Sequence, residues 1–173
     1  MSTINQTQLS KEDLIRRFEL IPHPEGGYYR ETYRATQTVH RAGADEPRSA
    51  STAIYYMLCD GAHSTWHRLK SDEAWHFYAG TPLLVHVLDR HGKLTTHRLG
   101  NALTHADTVF QAIVLAGDWF AAECEDPQRF AVVGCTVAPG FEFSEFEVGD
   151  VAALQAQYPA QRELIARLGP ATT

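Results

Sequence analysis

The chain has 173 residues, 44% of them hydrophobic, which suits one domain (residues 1–173) with a sizeable core. Its formal net charge is −6 and it has no run of like charges, which argues against nucleic acid or an anionic membrane surface as a partner. No apolar stretch approaches the roughly 20 residues that cross a bilayer, and the polar N-terminus does not resemble a signal peptide. We therefore expect a soluble, cytoplasmic protein with a small-molecule ligand.

The first predicted element is a short amphipathic helix over residues 10–19. Ser10 is a suitable N-cap, and Leu14 and Phe18 follow at helical spacing. Pro22 and Pro24 end the pattern, because proline cannot continue a helix. Gly26 and Gly27 then introduce a run rich in tyrosine and threonine, which favours a strand.

A succession of short strand-like runs follows, separated by turn signals. After the tyrosine-rich run they cover residues 52–58, 64–69, 73–79, 83–89, 95–99, 109–115, 119–125 and 131–137. Eight or nine strands spaced about ten residues apart are typical of an antiparallel barrel or sandwich. Residues 40–50 are polar and predict a surface loop, and the tail from Asp150 is helical by period. The fold class is therefore all-β, with a barrel over about residues 27–147.

Three cysteines, Cys59, Cys124 and Cys135, are widely spaced among apolar residues. An odd number without a C-x-x-C pair argues against both a disulfide framework and a zinc site. We expect all three to be reduced core residues, because free cysteine behaves mostly as a small buried hydrophobe.

The most informative stretch is STWHRLKSDEAWHFYAG, residues 64–80. The order Gly61, His67, Glu73, Gly80 resembles the first motif of cupin barrels, which contains a glycine, a His-x-His pair, a glutamate and a second glycine. With the flanking runs HPEGGYYRETYR, FQAIVLAGDWFAAE and GCTVAPGFEFSEFE, the chain resembles the small cupin family of unknown function whose members are often described as sugar-epimerase-like. The resemblance implies a single jelly-roll barrel, a homodimer and a pocket inside the barrel.

The chain also departs from the usual cupin pattern. We place Thr65 at the first motif histidine, with Glu73 one residue further from His67 than usual. In the second motif, Leu115 replaces the proline and Phe120 stands where a histidine is expected. Two of the four usual metal ligands are thus missing.

Side-chain alternation along residues 73–79 predicts which groups face the pocket. If Glu73 faces inward, Trp75 and Phe77 do too, while His76 and Tyr78 face outward. A tight turn at residues 79–82 would pair this strand with the next one. On that register Trp75 lies opposite His86, which would then point inward.

These residues suggest proton transfer next to a carbonyl group. A neutral imidazole, a carboxylate and flanking aromatic residues in a partly dry pocket supply a base whose pKa the pocket can tune and an apolar wall for the substrate. We therefore assign His67 and Glu73 to catalysis, with His67 as the base. The resemblance to metal-free sugar epimerases implies a tyrosine acid. The candidates are Tyr28, Tyr29, Tyr55 and Tyr56, and strand parity allows one of each adjacent pair inside. The predicted ligand contacts are Glu25, Tyr28, Trp75, Phe77 and His76.

Two other functions compete with the isomerase or epimerase hypothesis. A divalent-metal enzyme would use His67 and Glu73 with His86 or His76 as a third ligand. Alternatively the barrel binds a ligand without catalysis. The cofactor is left open between none and a divalent metal. The outward His76 and the aromatic-rich strands also suit a dimer interface.

Overall fold

A computed structural model describes residues 9–170. Helix α1 spans Lys11–Arg17, as the N-terminal pattern predicted. Ser10 and Asp13 form a capping box, in which each side chain accepts a hydrogen bond from the other residue's backbone N–H. Leu14 and Phe18 pack against a small cluster around Met57, so the helix covers part of one sheet's outer face.

Thirteen strands in the described residues, numbered in chain order, form two large antiparallel sheets and one hairpin. The larger sheet has the order β1 (Ile21–Pro22), β2 (Tyr28–Arg34), β5 (Thr52–Leu58), β12 (Ala131–Ala138), β7 (Asp72–Gly80), β10 (Gln111–Val114). The smaller has the order β13 (Glu147–Val148), β6 (His63–Arg68), β11 (Trp119–Cys124), β8 (Leu83–Leu88), β9 (Leu94–Leu99). The hairpin joins β3 (Thr38–His40) to β4 (Pro47–Ser49), where the sequence predicted only a loop.

The main core lies between the two sheets. Trp75 and Val133 of the larger sheet share one buried cluster with Val85 and Phe120 of the smaller sheet. Alternate residues of each strand enter this cluster, as the period of two requires. The predicted all-β jelly-roll barrel with helices at both termini is confirmed.

Two C-terminal helices cover the outer face of the smaller sheet. They are α2 (Val151–Gln157) and α3 (Arg162–Arg167), and Leu154 and Ile165 pack on Trp66, Leu88 and Trp119. No helix within residues 9–170 is long and apolar enough to cross a bilayer. All three cysteines are free and buried, as predicted.

The predicted pairing of β7 with β8 is wrong. β7 pairs with β12 and β10, whereas β8 pairs with β11 and β9, so the turn at residues 79–82 carries the chain from one sheet to the other. Gly80 has a φ of 102°, and a Cβ there would lie 2.2 Å from the carbonyl oxygen of Phe130. Because the turn crosses between sheets, Trp75 lies opposite Cys135 and Ala112 rather than His86.

Candidate functional site

A cavity of about 120 Å³ lies between the two sheets. Its wall combines aromatic and aliphatic side chains with imidazole and carboxyl groups. The polar groups deepest in the cavity come from His23, Glu25, Tyr56, His67 and Glu73. A small, mostly apolar cavity with a few converging polar groups is the usual form of a small-molecule site.

Glu25 reaches the cavity because two glycines press its segment against neighbouring strands. Gly26 has a φ of +116°, and a Cβ there would lie 2.2 Å from the carbonyl oxygen of His63. Gly27 has a φ of +73°, and its Cβ would lie 2.4 Å from the carbonyl oxygen of Met57. Only glycine allows both this backbone conformation and this approach. The conformation of the His-Pro-Glu-Gly-Gly run therefore directs the Glu25 side chain into the cavity.

The Glu25 carboxyl is buried and lacks a full complement of hydrogen bonds. Oε2 lies 3.0 Å from Nδ1 of His67 but has no hydrogen-bond partner, because that nitrogen is directed at the Thr65 carbonyl. Burial, and secondarily the proximity of Glu73, hold the pKa of Glu25 well above its usual range. Burial thus favours the protonated, neutral form of the Glu25 carboxyl.

His67, on β6, is a neutral imidazole with one nitrogen engaged. Nδ1 lies 2.7 Å from the carbonyl oxygen of Thr65, to which it donates its proton. Burial lowers the pKa of His67 to about 4. The ring packs against Phe120 at a centroid distance of 4.0 Å and against Phe146 at 5.1 Å. Since Nδ1 carries the proton, Nε2 holds the basic lone pair.

Glu73, on β7, faces the cavity, which is the orientation that the parity argument assumed. Burial raises its pKa to about 7, and its Oε2 has no hydrogen-bond partner. Trp75 also lines the cavity, and its indole N–H has no partner either. At neutral pH the Glu73 carboxyl is populated in both its protonated and its ionised form, which suits a group that gives and takes a proton.

His23 is a cavity residue that the sequence argument left out. Its Nδ1 accepts the backbone N–H of Glu25 at 3.1 Å, and its ring lies edge-on to Tyr29 at 4.5 Å. Burial lowers the pKa of His23 to about 4, so it is neutral at neutral pH. The sequence feature that could have identified His23 as a cavity residue is its position two residues before Glu25, in the run that ends with Gly26 and Gly27.

The four candidate tyrosines divide as strand parity required. Tyr29 and Tyr56 line the cavity, whereas Tyr28 and Tyr55 pack in the cluster around Met57 on the opposite face. The predicted ligand contact of Tyr28 is therefore wrong, and its neighbour Tyr29 takes that position. Tyr56 donates to the carbonyl oxygen of Gly26 at 2.8 Å, and burial holds its pKa well above the usual value.

Two further predicted ligand contacts need correction. Phe77 points inward but packs against the core cluster and does not line the cavity. His76 lies on the outer face, where its ring nitrogens contact Thr136 at 3.1 Å and Gln111 at 2.9 Å. The outward parity of His76 was predicted correctly, and it rules out contact with a ligand inside the barrel.

His86 does not belong to the cavity. Its ring nitrogens lie 2.9 Å from Oγ1 of Thr96 and 3.0 Å from Oε1 of Glu123, and Glu123 pairs with Arg167 of α3. The inward orientation assigned to His86 rested on the β7–β8 hairpin, which does not form. His86 instead helps to attach the C-terminal helix to the smaller sheet.

The donor set does not fit a metal ion. Thr65, which was aligned with the first motif histidine, bonds through its hydroxyl to the carbonyl of Leu168 and so points away from the cavity. Leu69, two residues after His67, lines the cavity, so a leucine occupies the second position of a His-x-His pair that begins at His67. Phe120 fills the other position on the β11 side. Among residues 9–170, no three His, Cys, Asp or Glu side chains converge as metal ligands would.

The mouth of the cavity is flanked by residues 141–146, which the sequence analysis quoted only as part of the family resemblance. Phe141, Phe143 and Phe146 pack on one another with ring centroids 5.0–6.2 Å apart and lie over His23 and His67. The β3–β4 hairpin holds this segment through ion pairs from Arg41 and Arg48 to Glu145. Arg34 binds Glu142 in the same segment.

Comparison with known proteins identifies the family. The family model described as Cupin superfamily (DUF985) matches residues 12–149, which is most of the chain. The protein belongs to this family. No curated protein matches the chain.

Solved structures agree with this assignment. A crystal structure of a protein from Shewanella oneidensis is 36% identical with a TM-score of 0.83, and the match covers 93% of this chain and 98% of that one. A hypothetical protein from Leishmania major is 30% identical with a TM-score of 0.85, covering 94% and 99%. Oxalate decarboxylase from Bacillus subtilis is 17% identical with a TM-score of 0.53, covering 85% and 36%, which shows a shared fold alone.

Proposed function

We propose that this cupin protein is an isomerase or epimerase that moves a proton at a carbon next to a carbonyl group of a small polar compound. The observation that carries the proposal is the pairing, in one closed cavity, of a neutral His67 with its Nε2 lone pair free and a Glu73 carboxyl whose pKa is about 7. Base and acid are thus available together at neutral pH.

In the proposed reaction, Nε2 of His67 removes the proton from the carbon, and protonated Glu73 gives its proton to the carbonyl oxygen. The product of this step is a neutral enediol, an imidazolium and a Glu73 carboxylate. The imidazolium then gives its proton to the former carbonyl carbon, while Glu73 takes the proton from the hydroxyl on the neighbouring carbon, so that the carbonyl group moves by one position. Both residues end as they began, so no external acid, base or oxidant is needed.

Surrounding residues support the two groups. The Thr65 carbonyl fixes the His67 tautomer through its 2.7 Å contact with Nδ1 and stabilises the imidazolium during the reaction. Phe120 and Phe146 hold the ring and exclude water from it. Among the tyrosines, Tyr56 is a poor proton donor because its hydroxyl is bound to Gly26 and its pKa is raised. Tyr29 also lines the cavity, but we propose Glu73 as the acid because its pKa of about 7 lies near neutral pH.

Proton exchange with deuterated water tests this proposal without knowledge of the natural substrate. The protein is incubated in D₂O with small hydroxyaldehydes and hydroxyketones, and deuterium incorporation next to the carbonyl is followed by NMR. We expect exchange with the wild type and a loss of about a hundredfold or more with His67→Asn, whose amide keeps the hydrogen bond to Thr65 but lacks Nε2. The matched control is His91→Asn, in an exposed turn.

Exchange that survives in His67→Asn would contradict the proposal. Saturable binding without any exchange would favour the alternative in which the barrel only binds a ligand.

A further inference from the structure

The charged groups around the cavity are strongly unbalanced. Four carboxyl side chains line it, from Glu25, Glu31, Glu73 and Glu142. Among the described lining residues, Arg34 is the one side chain that is always cationic.

Arg34 is already fully engaged at the cavity mouth. Its Nε and Nη2 donate to the two carboxylate oxygens of Glu31 at 2.9 and 2.8 Å. Nη1 donates to Glu142 at 2.8 Å, and Nη2 also reaches the carbonyl oxygen of Phe141 at 3.0 Å. All three guanidinium nitrogens donate hydrogen bonds, and the two carboxylates outweigh the single positive charge of Arg34.

The histidines do not provide a substitute positive charge. Burial lowers the pKa of both His23 and His67 to about 4, so both rings are neutral at neutral pH. An anion that entered the cavity would lose its hydration, find no free counter-charge and face the Glu73 carboxyl.

An uncharged polar molecule would meet matching groups. Oε2 of Glu25 and Oε2 of Glu73 are buried without a hydrogen-bond partner and can accept from hydroxyl groups. The Trp75 N–H is also buried without a partner and can donate to an oxygen. Buried polar groups that lack partners within the protein commonly find them in a ligand or in ordered water. The cavity therefore offers hydrogen bonds without a positive charge.

The size of the cavity sets a second limit. Its volume of about 120 Å³ is several times the roughly 10–15 Å³ that a cavity needs to hold one water molecule. This suits a compound of a few carbons and oxygens.

We infer that the cavity accepts an uncharged, hydroxyl-bearing carbonyl compound of a few carbons and rejects the phosphate ester of the same compound, and that Glu31 and Glu142 set this selectivity by neutralising Arg34. The inference rests on the proposed function for the carbonyl group. The charge selectivity itself rests on the ion pairs at the mouth and on the unpartnered groups inside.

Matched pairs of ligands test the inference by binding alone. Dihydroxyacetone, erythrulose and ribulose are each compared with their phosphate esters at neutral pH, with affinity measured by ligand-observed NMR at millimolar concentration. We expect each bound neutral compound to have at least a tenfold higher affinity than its ester. Equal or tighter binding of the esters, or no binding of any neutral compound, overturns the inference.

The double variant Glu31→Gln/Glu142→Gln tests the role of Arg34. It frees the guanidinium, so ester affinity should rise about tenfold while the affinity of the neutral compounds changes less than about threefold. The control is Glu125→Gln, which removes a comparable two-bond partner from Arg98 on the other sheet, away from the cavity. If the double variant binds the phosphate esters no more tightly than the wild type does, the role assigned to Glu31 and Glu142 is overturned.

The two proposals fail separately. A neutral compound that binds selectively without exchanging its proton contradicts the isomerase proposal and leaves the charge selectivity intact. A phosphate ester that binds tightly and exchanges its proton contradicts the charge selectivity and leaves the isomerase proposal intact.

Discussion

Nδ1 of His67 lies 3.0 Å from Oε2 of Glu25, although the two residues belong to chain segments 42 positions apart and the nitrogen also contacts the Thr65 carbonyl at 2.7 Å. One proton cannot point at both oxygens. The shorter contact is to Thr65, and the burial that raises the pKa of Glu25 favours its neutral form. Glu25 is therefore a polar neighbour of the base rather than its counter-ion, which distinguishes this site from a His–carboxylate pair.

Substitution of Glu25 tests this distinction. Glu25→Gln keeps the shape of the side chain and carries no charge. If Glu25 is not a counter-ion, we expect proton exchange to fall less than about tenfold in this variant, compared with about a hundredfold or more in His67→Asn. A fall in Glu25→Gln as large as that in His67→Asn would mean that Glu25 acts as an ionised partner of the imidazole.

The pH dependence of the exchange reaction follows from the two shifted groups. His67 must be neutral, which requires a pH above its pKa of about 4, and Glu73 must be protonated, which requires a pH below its pKa of about 7. We expect a bell-shaped profile of kcat/KM between these values. The profile is measured with any compound that exchanges its proton. A rate that rises steadily through pH 8 would contradict the assignment of Glu73 as acid.

Stability should also respond to Glu73. Its pKa is raised from 4.5 to about 7 on folding, so its contribution to the free energy of unfolding is complete below pH 4.5 and is lost as the pH rises through about 7. Relative to Glu73→Gln, the wild type should lose about 3 kcal/mol between pH 4.5 and pH 8. Urea unfolding of both proteins at the two pH values measures this. A pH-independent difference would contradict the burial of an ionisable Glu73.

Glycine substitutions test the turn that places Glu25. Gly26→Ala puts a Cβ 2.2 Å from the carbonyl oxygen of His63 at a φ of +116°, so we expect a loss of at least about 2 kcal/mol together with loss of ligand binding. Gly61 has a φ of +71° with no atom within 4 Å of its Cβ, so Gly61→Ala should cost about 1 kcal/mol and leave binding intact. If the two substitutions had equal effects on stability and binding, the close contact between Gly26 and the His63 carbonyl would not be important.

We propose that the outer face of the larger sheet forms a homodimer. Tyr78 of β7 and Ile113 of β10 lie on this face and are 54% and 51% exposed. His76, also on β7, lies opposite Gln111 of β10. Ile113→Glu should convert a dimer to a monomer by light scattering, because a charge in an apolar interface lacks a partner. Leu103→Glu, in an exposed turn, serves as the control. A wild type that is monomeric at micromolar concentration contradicts this proposal.

The sequence predicted the features that depend on local pattern. Residue spacing predicted the helix capped by Ser10, the strand succession and the shared face of Glu73 and Trp75. His86 was misplaced because a tight turn between two strands does not reveal whether the chain pairs them or crosses to another sheet. That choice depends on the contact of Gly80 with the carbonyl of Phe130, which is far away in sequence.

The cavity itself was only partly predictable. Glu25 was expected to contact a ligand, but its burial depends on Gly26 packing against His63, a contact that no local pattern encodes. Thr65 was misassigned to the first motif position, and the register of β6 with β11 shifts between the partners of Phe120 and Ala122, next to this residue. Arg34 and its two carboxylates come together only through strand pairing and the segment around Phe141.

The protonation state of His67 is the most direct test of the account, because the proposed base requires a neutral ring with Nε2 free. Nitrogen-15 NMR of imidazole-labelled protein, with His67→Asn used to assign the signal, measures both the pKa and the tautomer. The account predicts a pKa of about 4 and, above it, the tautomer protonated at Nδ1. A pKa near the ordinary value of 6.5, or a proton on Nε2 at neutral pH, would contradict it.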